Sequence, residues 1–131
     1  MKASIISLLT IFSLSTLIAT PAKSEMIRVA NSRNNELKYY VDTDSITFDR
    51  NFVEALVTSK SKTPSIYGLS SVIARWKVNC SYKSMMYINS AYYDVDGNLI
   101  SANRKPSGWG AITPGSLGGG VYNFMCNRSK R

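Results

Sequence analysis

The segment from Val72 to Cys80, VIARWKVNC, constrains this chain more than any other. Val72, Ala74, Trp76, Val78 and Cys80 fall on one side of an extended backbone, and Ile73, Arg75, Lys77 and Asn79 fall on the other. A period of two with one apolar side describes a strand in a sheet that buries one face. It also turns the Cys80 sulfur toward the core, and it makes Trp76 a core residue. The chain has one other cysteine, Cys126. Whether the two pair depends on the compartment in which the chain folds.

The N-terminus points to export. Met1 and Lys2 precede an apolar run from Ala3 to Ala19, which Pro21 ends. Ala22-Lys23-Ser24 places small residues at positions −3 and −1 of a cut before Glu25. A membrane anchor is the competing reading. The run is shorter than the roughly 20 residues of a span, and Ser4, Ser7, Thr10, Ser13, Ser15 and Thr16 dilute it. Residues 1–24 are therefore expected to be a signal peptide, cleaved between Ser24 and Glu25, with 25–131 a single exported domain. No cysteine lies near the cut, so a lipoprotein is not expected. In an oxidising compartment Cys80 and Cys126 have one possible connectivity. Closing that loop should contribute about 4 kcal/mol in the chain-entropy account.

The rest of the chain reads as short strands followed by one helix. Met26–Ala30 alternates, and Asn31–Asn35 is a polar turn. Leu37, Tyr39 and Val41 share a side opposite Lys38, Tyr40 and Asp42. Val53, Ala55 and Val57 alternate in a further strand, and 60–68 reads as an exposed loop. Met85–Tyr93 is rich in strand formers. Asp96-Gly97 signals a type I′ hairpin, with Leu99–Asn103 returning. Ser116 can cap a helix in which Leu117, Val121 and Phe124 share a face. Gly118-Gly119-Gly120 opposes that helix, at about 1 kcal/mol per glycine. The bridge at Cys126 is expected to hold it in place. The fold class expected is mainly β (α+β): an antiparallel sheet of about six strands, with a C-terminal helix tied to it by a disulfide.

Composition excludes most chemistry. Histidine is absent, which removes Ser-His-Asp and Cys-His nucleophile systems. Two cysteines cannot form a Cys₄ zinc site or an iron–sulfur cluster. No phosphate-binding glycine loop is present. The carboxylate pairs Asp42/Asp44 and Asp94/Asp96 sit in turn signals, where Asp bonds its own backbone. The expectation is a protein that is not an enzyme, with no cofactor and no metal.

Four segments, taken in order, resemble the surface-adhesin protein E-like family of bacterial envelope proteins. They are Lys38-Tyr39-Tyr40-Val41-Asp42-Thr43-Asp44-Ser45-Ile46; Arg75-Trp76-Lys77-Val78-Asn79-Cys80; Ala91-Tyr92-Tyr93-Asp94-Val95-Asp96-Gly97; and Trp109-Gly110-Ala111-Ile112-Thr113-Pro114-Gly115-Ser116 followed by Val121 to Cys126. The resemblance spans about Ile27 to Cys126 and implies the same sheet-plus-helix fold. It also implies an adhesin-like, protein-binding role at the cell envelope or surface. The glycine run departs from the family's usual helix formers there.

Charge supplies the second functional clue. The chain is formally +8; without Lys2 and Lys23 it keeps 14 basic against 8 acidic residues, near +6. The excess falls at Lys60 and Lys62, at Arg104 and Lys105 before Trp109, and at Arg128, Lys130 and Arg131. These loops, with Trp109 as a stacking surface, are the candidate binding site. The alternative role is contact with anionic glycan or lipid; ordinary solvated charge is the plainer explanation. Trp109 is expected to fold back as a lid over one end of the sheet. The paired tyrosines are expected to serve cross-strand packing. No nucleic-acid motif is present.

Overall fold

The computed structural model describes residues 25–128. The expected signal segment, its cleavage, and residues 129–131 of the basic tail lie outside them. Eight strands precede one helix: β1 (Met26–Asn31), β2 (Leu37–Asp42), β3 (Thr47–Asp49), β4 (Phe52–Ser61), β5 (Ser71–Asn79), β6 (Ser84–Tyr93), β7 (Leu99–Asn103), β8 (Gly110–Ala111) and α1 (Leu117–Arg128). All pair antiparallel. Six follow one path, β1-β2-β4-β5-β6-β7, while β3 adds to β4 and β8 adds to β6.

Strands β2 and β3 lie end to end along the same edge of β4. β2 pairs with its far half, from Val41↔Val57 to Leu37↔Ser61, and β3 with its near half, from Thr47↔Glu54 to Asp49↔Phe52. A 3-10 turn at Thr43–Ser45 separates them. Asp42 Oδ1 accepts from Asp44 N at 3.0 Å, and the Ser45 hydroxyl donates to Asp42 O at 2.7 Å. Leu56 N–H, left without a ladder partner by the turn, donates to Ser45 Oγ at 2.8 Å. The Asp-Thr-Asp-Ser sequence thus builds a kink and repairs the ladder across it. Ser45→Ala should leave that half-buried N–H unpaired and cost about 1–2 kcal/mol, measured by urea denaturation.

The β6–β7 hairpin differs from the type I′ expectation. Such a turn needs positive φ at both central residues, but only Gly97 adopts it, at 82°. Gly97 N donates to Asp94 O, and Asp94 Oδ1 accepts from Asp96 N and Asn98 N. The aspartate side chain organises a longer turn, and the glycine closes it.

The buried face carries Val41, Val53, Ala55, Val57, Ala74, Trp76 and Val78, covered by Val121, Tyr122, Met125 and Cys126 of α1. Trp76 is 3% exposed, a core residue as its alternation requires. Cys80 and Cys126 are bonded, which ties the helix to the end of β5. Ser116 caps the helix by accepting from Gly119 N at 3.0 Å. The buried stripe runs through Gly119, Val121, Tyr122, Met125 and Cys126; of the expected face, Val121 is fully buried and Phe124 packs partly buried against the core, while Leu117 is only half-buried. Tyr122 turns inward, and its hydroxyl donates to Cys80 O at 2.8 Å.

Candidate functional site

The helix covers one face of the sheet and leaves the other open. Alternation and register place Arg28 of β1, Lys38 of β2, Lys60 of β4, and Arg75 and Lys77 of β5 on the open side. Asp42 and Glu54 are the acidic residues that the same register brings there among these four strands. A groove of about 380 Å³ crosses this face, floored by Leu56, Ile73, Ala91 and Ala102 and edged by Tyr93 and Arg104. The face thus carries a largely apolar groove with Arg104 at its edge, and further basic side chains on the same side of the sheet.

The residues singled out from sequence scatter across the molecule. Lys60 is not in a loop: it lies in β4, one residue before its end, with its ammonium 5.4 Å from the Tyr40 ring centre. Arg104 edges the groove. Trp109 stays 48% exposed and is only half a lid. Its ring packs 5.9 Å from that of Phe52, which in turn carries the Lys77 ammonium at 4.9 Å. Lys60, Arg104 and Trp109 therefore share the open side. Lys62 and Lys105 are exposed outside the strands. Arg28, Lys38, Arg75 and Lys77 were missed as site residues. The alternation that placed Trp76 in the core already turned Arg75 and Lys77 away from it. Joining them to the lysines of β2 and β4 requires the strand register.

A second concavity lies on the covered face, past the edge of α1. Trp76 is flanked edge-on by Tyr39, at 6.1 Å between ring centres, and by Tyr87, at 5.3 Å. With Tyr92 these rings line a cleft of about 210 Å³. Burial raises the Tyr39 phenol above its usual pKa; it does the same for Tyr87, helped by the neighbouring Tyr39 and Tyr92 phenols. A β-bulge makes this arrangement: Tyr87 faces Trp76 and Asn89 faces Arg75, leaving Ile88 as an extra residue. The bulge shifts the register by one, so Tyr87, Ser90 and Tyr92 all turn to the same side.

A family model for surface-adhesin protein E matches residues 27–127. The chain belongs to the surface-adhesin protein E family. Solved structures of Haemophilus influenzae protein E share the fold. One has 21% identity and a TM-score of 0.59, over 81% of this chain and 86% of that one. Another crystal form has 18% identity and a TM-score of 0.59, over 79% and 90% of the two chains. Protein E from non-typeable Haemophilus influenzae has 20% identity and a TM-score of 0.56, over 85% and 81%. No curated protein matches the chain. Membership of the adhesin E family makes this an adhesin-like, exported surface protein. No helix among the described residues is long and apolar enough to cross a membrane.

Proposed function

We propose that this adhesin E protein is a non-enzymatic binding domain at the cell envelope or surface, and that it takes a protein partner on the open face of its sheet. The observation that carries this reading is the face itself: a groove over Leu56 and Ile73 with Arg104 at its edge, on the same face of the sheet as Arg28, Lys38, Lys60, Arg75 and Lys77. An apolar centre with a polar rim is the anatomy of a protein interface. Export through a cleaved signal peptide, residues 1–24, belongs to the same proposal; an intact mass that begins at Glu25 supports it, and one that begins at Met1 refutes it.

The excess of basic groups on this face favours a second reading, contact with anionic glycan or lipid. Binding of the oxidised protein to immobilised matrix proteins and to heparin, across a salt titration, separates the two. An adhesin's protein binding should saturate and persist at physiological salt. Polyanion binding should weaken steeply as salt screens the charges. The double variant Arg75→Glu/Lys77→Glu is expected to slow association with an acidic partner about tenfold at low salt, with circular dichroism unchanged. Unchanged association in this variant would exclude the open face.

A further inference from the structure

The aromatic cleft lies on the opposite side of the sheet from the proposed interface. Its rings and hydroxyl groups come from Tyr39, Trp76, Tyr87 and Tyr92, with Ser59 and Ser90, and Val57, Val72 and Ala74 complete the lining. Among the described residues, no carboxylate, amide, lysine or arginine lines it. On a chain of formal charge +8, this is a neutral site. One hydroxyl pair is internally bonded, Ser90 Oγ donating to Tyr92 Oη at 3.2 Å. Trp76, 3% exposed, forms the floor of the cleft rather than a free wall. Tyr39 and Tyr87 remain protonated, and therefore donors, at neutral pH.

We propose that this cleft binds a proline-rich extended segment of another protein. Such a segment displays carbonyl acceptors, and its prolines lack backbone N–H donors. It therefore needs a recogniser that supplies donors and flat apolar walls. The Tyr39, Tyr87 and Tyr92 rings and hydroxyls provide both, the mode by which aromatic grooves hold polyproline helices. The ligand's conformation is preformed, so a shallow cleft loses little binding energy to ordering it. A sugar would match this site less well. Its hydroxyls both donate and accept, and they pair best with carboxylate and amide groups, which this lining lacks. A charged ligand would find no counter-charge here.

The test uses the oxidised protein carrying Trp109→Phe. Of the two tryptophans, only Trp76 then reports. Titration with a capped decaproline peptide should give a saturable change in Trp76 emission. Tyr87 is 40% exposed, and Tyr87→Phe keeps the ring that flanks Trp76. Tyr87→Phe, which removes one donor, should weaken binding about threefold to tenfold. Tyr87→Ala should weaken it further, with near-ultraviolet circular dichroism confirming the fold. Arg75→Glu/Lys77→Glu should leave peptide binding unchanged, which separates this site from the open face. Three results would each overturn the proposal: no saturable change at millimolar peptide, equal binding by Tyr87→Ala, or displacement of the peptide by the open-face substitutions. Tyr87-dependent binding of a neutral oligosaccharide in place of the peptide would overturn it as well.

Discussion

Replacing Cys80 and Cys126 by alanine is expected to destabilise the protein by about 4 kcal/mol, one of the two largest effects anticipated. The bridge closes a separation of 46 residues that contains β6, β7, β8 and most of α1. Without it, the unfolded chain regains the freedom of that whole loop. The folded state loses less: Val121 and Met125 still pack on the sheet, and Tyr122 still bonds Cys80 O. The loss should therefore appear as a melting temperature lower by roughly 15–25 °C. The urea dependence should steepen, because the uncrosslinked unfolded state exposes more surface. A loss below about 1 kcal/mol would mean that the chain-entropy account fails here and that packing alone holds the helix.

The second large effect lies in the glycine run, where three chemically identical substitutions should diverge. A Cβ at Gly118 would meet Trp76 at 3.8 Å, an ordinary contact. Gly118→Ala should thus gain the helix preference of alanine, about 0.5–1 kcal/mol. At Gly119 the Cβ would lie 2.9 Å from Thr113 O. That carbonyl is already held by Ser116 N at 3.2 Å and Ser116 Oγ at 2.6 Å, so it has no room to yield. At Gly120 the Cβ would meet Ala30 Cβ at 3.0 Å and Val29 O at 3.1 Å, at the bulge in β1. Gly119→Ala and Gly120→Ala should each cost about 1–3 kcal/mol by overpacking. Thermal melts of the three variants decide the matter. If all three gain or all three lose stability, close approach is not why the glycines are there.

These glycines also show where the sequence stops being legible. Read locally, they count against a helix. For Gly120 the reason is the bulged first strand about ninety residues earlier, and no local pattern reports a contact of that separation; for Gly119 it is the Thr113 carbonyl in the folded helix entry. The strands were readable because alternation is local, as in Val72–Cys80, and the disulfide was readable because only one pairing exists. The short β3 and β8 were not, since two or three residues carry no period. The helix face was legible in part: Val121 and Phe124 turn to the core, but Tyr122 joins them through a bond to Cys80 O, an acceptor far away in the chain. The basic face was half visible. Arg75 and Lys77 were already on the outward side, but the register that sets Lys60 and Lys38 beside them is a tertiary fact. The aromatic cleft was least visible, since it depends on one extra residue, Ile88, which slips the pattern of β6.

The order of elements along the chain bears on how the molecule is delivered. Every strand precedes the helix, and the helix supplies the second layer of the core and the second half-cystine. A chain that crosses a membrane N-terminus first emerges as a sheet whose apolar side has no cover. Val41, Val53, Val57 and Val78 stay exposed until residues 117–128 arrive. The crosslink cannot form before the same moment. Final folding is therefore set by the arrival of the last segment, which keeps the chain unlocked in transit and makes the interval before the helix docks the one most open to aggregation.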